Sequence, residues 1–145
     1  MFKKILYPTD FSDVAAKALN YIIKLRASGA QQAVVLHVID ERGIDSVHRF
    51  LSESEFNNLK KKKNEDTESM LKGVEKELAA AGFKVSLRVE TGMPVREILR
   101  VEEEENVSVI VIGSHGLSNL QEIFLGSVSE KVTRRSKNPV LVIKR

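Results

Sequence analysis

The chain has 145 residues, of which 42% are hydrophobic and 30% are charged, and its formal net charge is +3. These values are typical of one globular domain with a substantial core, and the small positive charge does not by itself indicate a nucleic-acid-binding protein. Because the chain contains no cysteine, both a disulfide framework and a thiolate metal site are excluded.

Short apolar runs rich in β-branched residues predict buried parallel strands. These runs cover residues 4–7, 33–39, 107–112 and 140–143. A fifth run, residues 84–89, alternates polar and apolar side chains, so we expect it to form a strand at the edge of the sheet.

Apolar residues recur every three or four positions between these runs, which predicts helices. The predicted helices cover approximately residues 11–25, 52–81, 94–105 and 128–136. Gly82 is a stop signal after the second helix, and Pro94 suits the first turn of the third. Residues 40–51 match neither pattern and predict a long irregular connection, which we interpret as a flap over a ligand crevice.

The alternation of strands and helices along the chain predicts an α/β fold. Right-handed crossovers place helices on both faces of a parallel sheet, which gives a three-layer, doubly wound architecture. The sequence has no internal repeat and no linker, so we expect residues 1–145 to form one domain. In such folds a ligand binds beyond the carboxyl ends of the strands, where the direction of winding reverses.

The most informative motif is Gly113-x2-Gly116-x9-Gly126-Ser127, which directly follows the predicted strand at residues 107–112. We expect Gly113 to end the strand and allow a turn that a Cβ would obstruct, and Gly116 to allow close approach of a ligand to the backbone. Gly126 and Ser127 open the last helix, where the N–H groups of residues 126–128 and the positive end of the helix dipole suit a phosphate. The motif therefore predicts a phosphate-binding loop rather than a turn alone.

Several polar side chains have two interpretations. Ser127 and Ser129 can cap the last helix or donate a hydroxyl hydrogen bond to a phosphate, and the same geometry serves both roles. His115 is either solvated at the tip of the loop or in contact with a phosphate, and the residues leave both interpretations open. His37 lies inside the second predicted strand, which favours a hydrogen-bonded structural histidine over a ligand-binding one.

The glycine spacing resembles the nucleotide loop of the ATP-binding branch of the universal stress protein family, whose type member is UspA. The resemblance extends over nearly the whole chain, through residues 4–12, 36–39, 91–94, 113–127 and 138–143. It implies a Rossmann-like fold of the adenine nucleotide alpha hydrolase type, a five-stranded parallel sheet with strand order 3-2-1-4-5. That order places the reversal between strands one and four, so Thr9 and Asp10 are expected to face the glycine loop across one crevice.

The family resemblance also implies roles for residues outside the glycine loop. Asp10 matches an aspartate that contacts the nucleoside part of ATP, and Ser12 is available to cap the first helix in its place. Val38 and Gly92 match positions that touch the adenine and its surroundings. The full set of candidate ATP-binding residues is Pro8, Thr9, Asp10, Val38, Gly92, Ile112, Gly113, His115, Gly116, Gly126, Ser127, Val128 and Ser129.

The resemblance implies an ATP-responsive stress-adaptation module that binds ATP with Mg2+ (or Mn2+). The chain shows no carboxylate pair and no nucleophile–base pair, so we assign no catalytic residue and expect at most slow ATP hydrolysis. Two alternatives stay open: an interaction protein of the same fold that binds no nucleotide, and a slow ATPase or phosphotransferase. No Gly-x4-Gly-Lys-Ser/Thr sequence is present, which excludes a P-loop mechanism.

The sequence also predicts partners and location. Val140–Ile143 is an apolar strand predicted at a sheet edge near the end of the sequence, and the edge and the resemblance both predict a homodimer through it. The consecutive lysines at residues 60–63 lack an accompanying aromatic platform and are interpreted as a solvated surface. No apolar run is long enough for a membrane span or a signal peptide. We therefore expect a cytoplasmic protein with no nucleic-acid and no membrane partner.

Overall fold

Five strands alternate with helices over residues 1–116 and 125–145, the part of the chain that the computed structural model describes. The elements are, in chain order, β1 (Lys4–Pro8), α1 (Asp13–Leu25), β2 (Gln32–Asp40), α2 (Glu41–His48), α3 (Glu53–Ala80), β3 (Lys84–Gly92), α4 (Pro94–Glu104), β4 (Val109–Gly113), α5 (Ser127–Arg135) and β5 (Val140–Ile143). The strands form one parallel sheet in the order β3-β2-β1-β4-β5. The predicted fold class and strand order are confirmed, as are the edge positions of β3 and β5.

Helices cover both faces of the sheet, because successive side chains of a buried strand point to opposite faces. On β1, Ile5 and Tyr7 belong to a core cluster with α1 and α3, whereas Leu6 belongs to a second cluster with α4 and α5. All three side chains are at most 1% exposed. The three-layer architecture therefore follows from β1, which is buried on both faces. Within the described residues, no helix combines the length and apolarity needed to cross a membrane.

The segment that the sequence predicts as a long irregular connection contains a helix, so that part of the prediction is wrong, whereas its interpretation as a flap over the crevice stays a prediction. Glu41–His48 forms α2, and the Asp40 carboxylate caps it by accepting a hydrogen bond from the Arg42 N–H at 3.0 Å. The helix buries no residue completely; Ile44 and Val47 are half-buried, and the His48 ring contacts the Phe56 ring on α3 at 4.4 Å. Two half-buried apolar residues are too few to produce a recognisable helical pattern.

Strand ends also differ from the sequence prediction. β2 and β3 remain paired as far as Asp40 and Gly92, three residues beyond the predicted end of the edge strand. β4 begins at Val109 rather than at Val107 and ends at Gly113. These ends are set by which strand lies alongside, and a single segment does not contain that information.

Tyr7 ties β1 to α1 inside the core and generates a testable prediction. Its hydroxyl donates a hydrogen bond to the Ala15 carbonyl at 2.6 Å, and burial is the main cause that raises its pKa from 10.0 to about 12. A raised folded-state pKa means that the stabilisation is complete below pH 10 and is lost as the pH rises toward 12.

We expect Tyr7→Phe to lower the free energy of unfolding by about 1 kcal/mol at pH 8, since the hydrogen bond is lost. Between pH 9 and pH 11 the wild type is expected to lose about 1 kcal/mol more stability than Tyr7→Phe, which has no phenol to ionise at this position. Urea denaturation at the three pH values measures both effects. Parallel pH profiles for the two proteins would contradict the assignment of the alkaline loss to Tyr7.

Candidate functional site

A crevice opens where β1 and β4 separate. The two strands pair only at Ile5 with Val109 and at Leu6 with Ile110, and beyond these pairs their carboxyl ends diverge. The crevice has a volume of about 270 Å³ and lies at the reversal of winding that the sequence predicts.

The structure brings all but one of the predicted site residues to this crevice. The lining includes Pro8, Thr9, Asp10, Val38, Ile112, Gly113, His115, Gly116, Gly126, Ser127, Val128 and Ser129. Gly92 does not line the crevice; it lies two residues before Pro94, which does. Eight residues of the predicted glycine loop, 117–124, lie outside the described residues.

Sequence reasoning missed five lining residues, namely Ala15, Leu36, Asp40, Pro94 and Ile98. Leu36 and Asp40 alternate with the predicted Val38 along β2, so the strand period was a signal that would have found them. Pro94 and Ile98 are one helical turn apart on α4, but only the tertiary structure shows that this face of α4 reaches the crevice.

The β1–α1 turn holds Asp10 toward the crevice. The Ser12 hydroxyl caps α1 by accepting a hydrogen bond from the Ala15 N–H at 3.2 Å, which confirms the predicted cap. Asp10 Oδ1 accepts a hydrogen bond from the Ser12 N–H at 3.0 Å. Asp10 Oδ2 lies 2.9 Å from the position that a Cβ on Gly116 would occupy, so Asp10 and the glycine loop face each other as predicted.

His37 stabilises the same turn from the neighbouring strand. Its Nδ1–H donates to the Thr9 carbonyl oxygen at 2.9 Å, which fixes the tautomer, and its ring packs against Phe11 at 4.9 Å. Phe11 adopts a left-handed conformation with φ 63°, which is rare for a large side chain. The predicted structural role of His37 is confirmed, and the contacts explain how the unusual turn is held.

Gly113 is required by packing rather than by a turn conformation. A Cβ at this position would lie 2.9 Å from Val14 Cγ1 and 3.3 Å from the Val14 carbonyl carbon. Gly113 is the last residue of β4 and its backbone is not left-handed. The prediction that a Cβ would be obstructed at this position is confirmed, and α1 causes the obstruction: the absent side chain lets α1 approach the end of β4.

The N-terminus of α5 points unpaired N–H groups into the crevice. Gly126 is the N-cap residue and supplies no side-chain cap. The sequence predicts that the Gly126 N–H contacts a phosphate, and this prediction is wrong. The Gly126 N–H donates to the Ser114 carbonyl at 2.7 Å and is therefore not available to a phosphate. Among the described residues, the N–H groups of Ser127, Val128 and Ser129 have no acceptor.

The hydroxyls of Ser127 and Ser129 have different surroundings, and neither has the predicted capping role. Ser129 is buried, and its hydroxyl donates to the Gly113 carbonyl oxygen at 2.7 Å, which joins α5 to the end of β4. Neither Ser127 nor Ser129 caps the helix, because both lie inside it. Ser127 is exposed and lines the crevice, so its hydroxyl is the one available to a ligand.

His115 is buried rather than solvated, although it lines the crevice. The ring is 7% exposed, and its Nδ1 lies 2.8 Å from the Ser114 hydroxyl. Nε2 is buried and has no hydrogen-bond partner within residues 1–116 and 125–145. When Nδ1 accepts a hydrogen bond from the Ser114 hydroxyl, Nε2 carries the hydrogen and is a donor without an acceptor in the described part of the chain.

Charge is distributed unevenly around the crevice. Hydrogen bonds from the Arg42 side chain lower the pKa of Asp40 at the mouth, so this carboxylate is ionised and already paired. The β2 and α4 side is apolar, with Leu36, Val38 and Ile98 in the lining. The opposite side carries the α5 N–H groups and His115. Within the described residues, no group of three His, Asp or Glu side chains is placed to hold a metal ion.

Comparison with known proteins finds similarity over nearly the whole chain. The model of the universal stress protein family matches residues 1–144. Universal stress protein MJ0577 of Methanocaldococcus jannaschii is 42% identical over 157 residues, covering 100% of this chain and 96% of that protein. Universal stress protein YxiE of Bacillus subtilis is 32% identical over 148 residues, covering 99% and 100% respectively.

Solved structures agree with the sequence comparison. A structure of MJ0577 matches with a TM-score of 0.86 and 46% identity, covering 100% of this chain and 97% of that chain. A universal stress protein in complex with cAMP matches with a TM-score of 0.70 and 23% identity, covering 99% and 97% respectively. The second likeness shows a shared fold.

The packing of Gly113 against α1 can be tested with a matched pair of substitutions. Gly113→Ala is expected to lower the free energy of unfolding by about 1–3 kcal/mol, because the methyl group overpacks a buried contact. Gly73 in α3 has nothing within 4 Å of an added Cβ. Gly73→Ala is therefore expected to raise stability by about 0.5–1 kcal/mol through helix propensity. Urea denaturation followed by circular dichroism measures both, and a Gly113→Ala protein as stable as the wild type would refute the packing requirement.

Proposed function

The chain belongs to the universal stress protein family, and we propose that it binds ATP in the crevice between β1 and β4 as a regulatory module in stress adaptation. One observation carries the proposal: Ser127, Val128 and Ser129 line the crevice at the N-terminus of α5, and their N–H groups have no acceptor among the described residues. Helix N-termini favour anions because their N–H groups and the helix dipole point at the ligand.

The phosphate end of the site is formed by α5. The N–H groups of Ser127, Val128 and Ser129 are free among the described residues, and the Ser127 hydroxyl lies beside them. Phosphate oxygens accept hydrogen bonds from such donors more strongly than neutral groups do. A triphosphate would therefore accept hydrogen bonds from the three N–H groups and replace the water that it displaces.

The base end of the site is formed by β2. The β1–β2 ladder ends with the Thr9 N–H donating to the Leu36 carbonyl at 2.8 Å. Val38 lies two residues further, so its N–H and C=O point to the same side but meet no β1 partner. This adjacent donor and acceptor match N1 and the exocyclic amine of adenine, while Pro94 and Ile98 provide an apolar wall for the ring.

The proposed ligand is ATP with Mg2+ (or Mn2+). When bound, the cation would neutralise phosphate charge, and phosphate oxygens and water are its natural ligands. Asp10 Oδ2 is directed into the crevice and is proposed to contact the nucleoside part of ATP. The solved relative in complex with cAMP makes an adenine nucleotide a reasonable first ligand to test.

We propose a binding protein that hydrolyses ATP slowly at most. The Ser114 hydroxyl and His115 Nδ1 form a nucleophile–base contact, but Ser114 is 1% exposed and does not line the crevice. Efficient hydrolysis needs a group that orients an attacking water beside the terminal phosphate. Asp10, Asp40 and His115 are the titratable residues of the described lining, and Asp40 is already paired with Arg42.

Removal of a single N–H group tests the phosphate assignment. Ser127 is the first residue of α5, where proline is well tolerated because its missing N–H breaks no helical hydrogen bond. Gly126 has φ −59° and ψ 153°, a conformation compatible with a following proline.

Calorimetry on the wild type is expected to give a Kd for Mg2+–ATP in the low-micromolar range or weaker, about −8 kcal/mol or less favourable. ADP and AMP are expected to bind more weakly.

Ser127→Pro is expected to weaken ATP binding about tenfold or more, because it removes one charge-assisted hydrogen bond. Ser127→Ala is the control, since it removes the hydroxyl but keeps the N–H, and its effect is expected to stay below about threefold. Equal losses in the two variants would show that the hydroxyl, not the N–H, contacts the ligand. A wild type that binds no ATP at millimolar concentration would favour a nucleotide-independent interaction protein of the same fold.

We also propose that two copies pair through β5. Leu141 is 38% exposed, and the carbonyls of Pro139 and Ile143 are directed toward β4. The N–H and C=O groups of the alternate residues Val140 and Val142 therefore point outward from the sheet edge. A two-fold axis beside β5 would pair these groups with those of a second copy.

Leu141→Asp is expected to convert the dimer to a monomer, because it places a charge in the exposed apolar strip of the interface. Val142 is a poorer probe, since it packs against the core on the α4 and α5 face. Light scattering at tens of micromolar protein measures the mass, and calorimetry is expected to show that ATP binding persists in the variant. A wild type with monomer mass at that concentration would rule out this dimer.

A further inference from the structure

We propose that Glu97 is the positioning residue for the apolar wall of the crevice, and that it acts by its shape and reach rather than by its charge. The wall is formed by Pro94 and Ile98, which line the crevice, and Gly92 and Met93 lead into it from β3. The inference rests on the proposed binding of ATP and extends it, because it assigns base recognition to a residue outside the lining.

Glu97 is a buried carboxylate in the first turns of α4. Its side chain is 7% exposed, which is unusual for glutamate. Oε2 accepts hydrogen bonds from Nε and Nη2 of Arg100 at 2.9 and 2.6 Å, and Oε1 accepts one from Nε of Arg96 at 3.3 Å. Both oxygens are therefore held in place, and the position near the helix N-terminus also favours a negative charge.

The side chain of Glu97 occupies the space above Gly92. A Cβ on residue 92 would lie 2.9 Å from Oε1, 3.0 Å from Cγ and 3.1 Å from Cδ of Glu97. Gly92 is buried, and it ends the β2–β3 ladder opposite Asp40, at the mouth of the crevice. The carboxylate group thus rests directly on the backbone where β3 turns into the wall.

The backbone of Glu97 is joined to the same segment. Its N–H donates to the Met93 carbonyl at 3.0 Å, and Met93 is an N-cap residue without a side-chain cap. Pro94 and Ile98, which flank Glu97 on α4, both line the crevice. A shift of the Glu97 side chain is therefore transmitted to both sides of the wall.

An ion-pair network fixes Glu97 from the outside. Arg100 also pairs with Glu90 on β3 through Nη2 at 2.8 Å and with Glu104 through Nη1 at 2.6 Å. Arg100 therefore connects α4 with the strand that leads into Gly92. Glu104 also pairs with Arg100, from one helical turn after it, but it is exposed, and none of its atoms is among those nearest to a Cβ added at Gly92. Glu104→Asp therefore serves as a control, because it shortens a carboxylate of the same network away from the wall.

Two conservative substitutions separate reach from charge. Glu97→Asp keeps the charge but withdraws the carboxylate by one methylene from Gly92. Glu97→Gln keeps the length and loses the charge, and its one acceptor oxygen can keep the two hydrogen bonds from Arg100 but not also the one from Arg96. Binding is measured by calorimetry with Mg2+–ATP and with Mg2+–tripolyphosphate, which has the phosphates but no base. Glu104→Asp is measured in parallel, and thermal melts establish that each variant is folded.

Glu97→Asp is expected to weaken ATP binding about tenfold while tripolyphosphate binding stays within about twofold, because only the base contacts the wall. Glu97→Gln is expected to stay within about threefold of the wild type for both ligands, and Glu104→Asp to change neither. The inference is overturned if Glu97→Asp binds ATP like the wild type, if both ligands weaken in parallel, or if Glu97→Gln loses as much as Glu97→Asp.

Failure of folding in Glu97→Asp would also overturn it, in favour of a purely structural role. A wild type that binds tripolyphosphate and ATP, combined with an unaffected Glu97→Asp, would remove this inference but leave the proposed function intact. A wild type that binds neither ligand would remove both.

Discussion

The divergence of β1 from β4 after two residue pairs is the constraint on which the site depends. β1 pairs with β2 along its whole length but with β4 only at Ile5 and Leu6, so the two connections leave toward opposite faces and open a gap. Main-chain groups at the gap lose their ladder partners, and their burial is unfavourable unless something else satisfies them. Two sets of main-chain groups border the gap: those of Val38, which lies beyond the end of the β1–β2 ladder, and the first N–H groups of α5, which have no acceptor among the described residues.

The packing of α1 and α5 against the end of β4 fixes the position of these main-chain groups around the crevice. The absent side chain of Gly113 lets α1 close against the end of β4, and the Ser129 hydroxyl ties α5 to the same residue. The Gly126 N–H donates to the Ser114 carbonyl and so holds the loop, whereas the next three N–H groups have no acceptor in the part of the chain that the structure describes. Some polar groups of this short region therefore hold the fold together, whereas others have no partner within residues 1–116 and 125–145. His115 belongs to both sets, because its Nδ1 lies beside the Ser114 hydroxyl and its Nε2 has no such partner.

Sequence prediction succeeded where one segment carried its own signal. The buried strands, the Ser12 cap and the glycine loop depend on composition and spacing within a few residues. It failed where a partner decided the outcome. The buried state of His115 depends on what surrounds the loop, and the use of the Gly126 N–H depends on the position of Ser114. The helix α2 was missed for a different reason: its apolar pattern is weak, although Asp40 caps it locally. The resemblance placed Gly92 in the site, but Gly92 does not line the crevice. It packs instead against the Glu97 side chain.

By itself the sequence determined the α/β class, the approximate elements and the position of the glycine motif between β4 and α5, because strand burial, helix periodicity and glycine spacing are written in consecutive residues. The family resemblance added the strand order and most of the lining. Only the tertiary structure decided which donors lack an acceptor among the described residues, which glycines are required by packing, and that the buried Glu97 on α4 lies against Gly92 at the end of β3. Those outcomes depend on distances between elements far apart in the chain, and no local pattern encodes such distances.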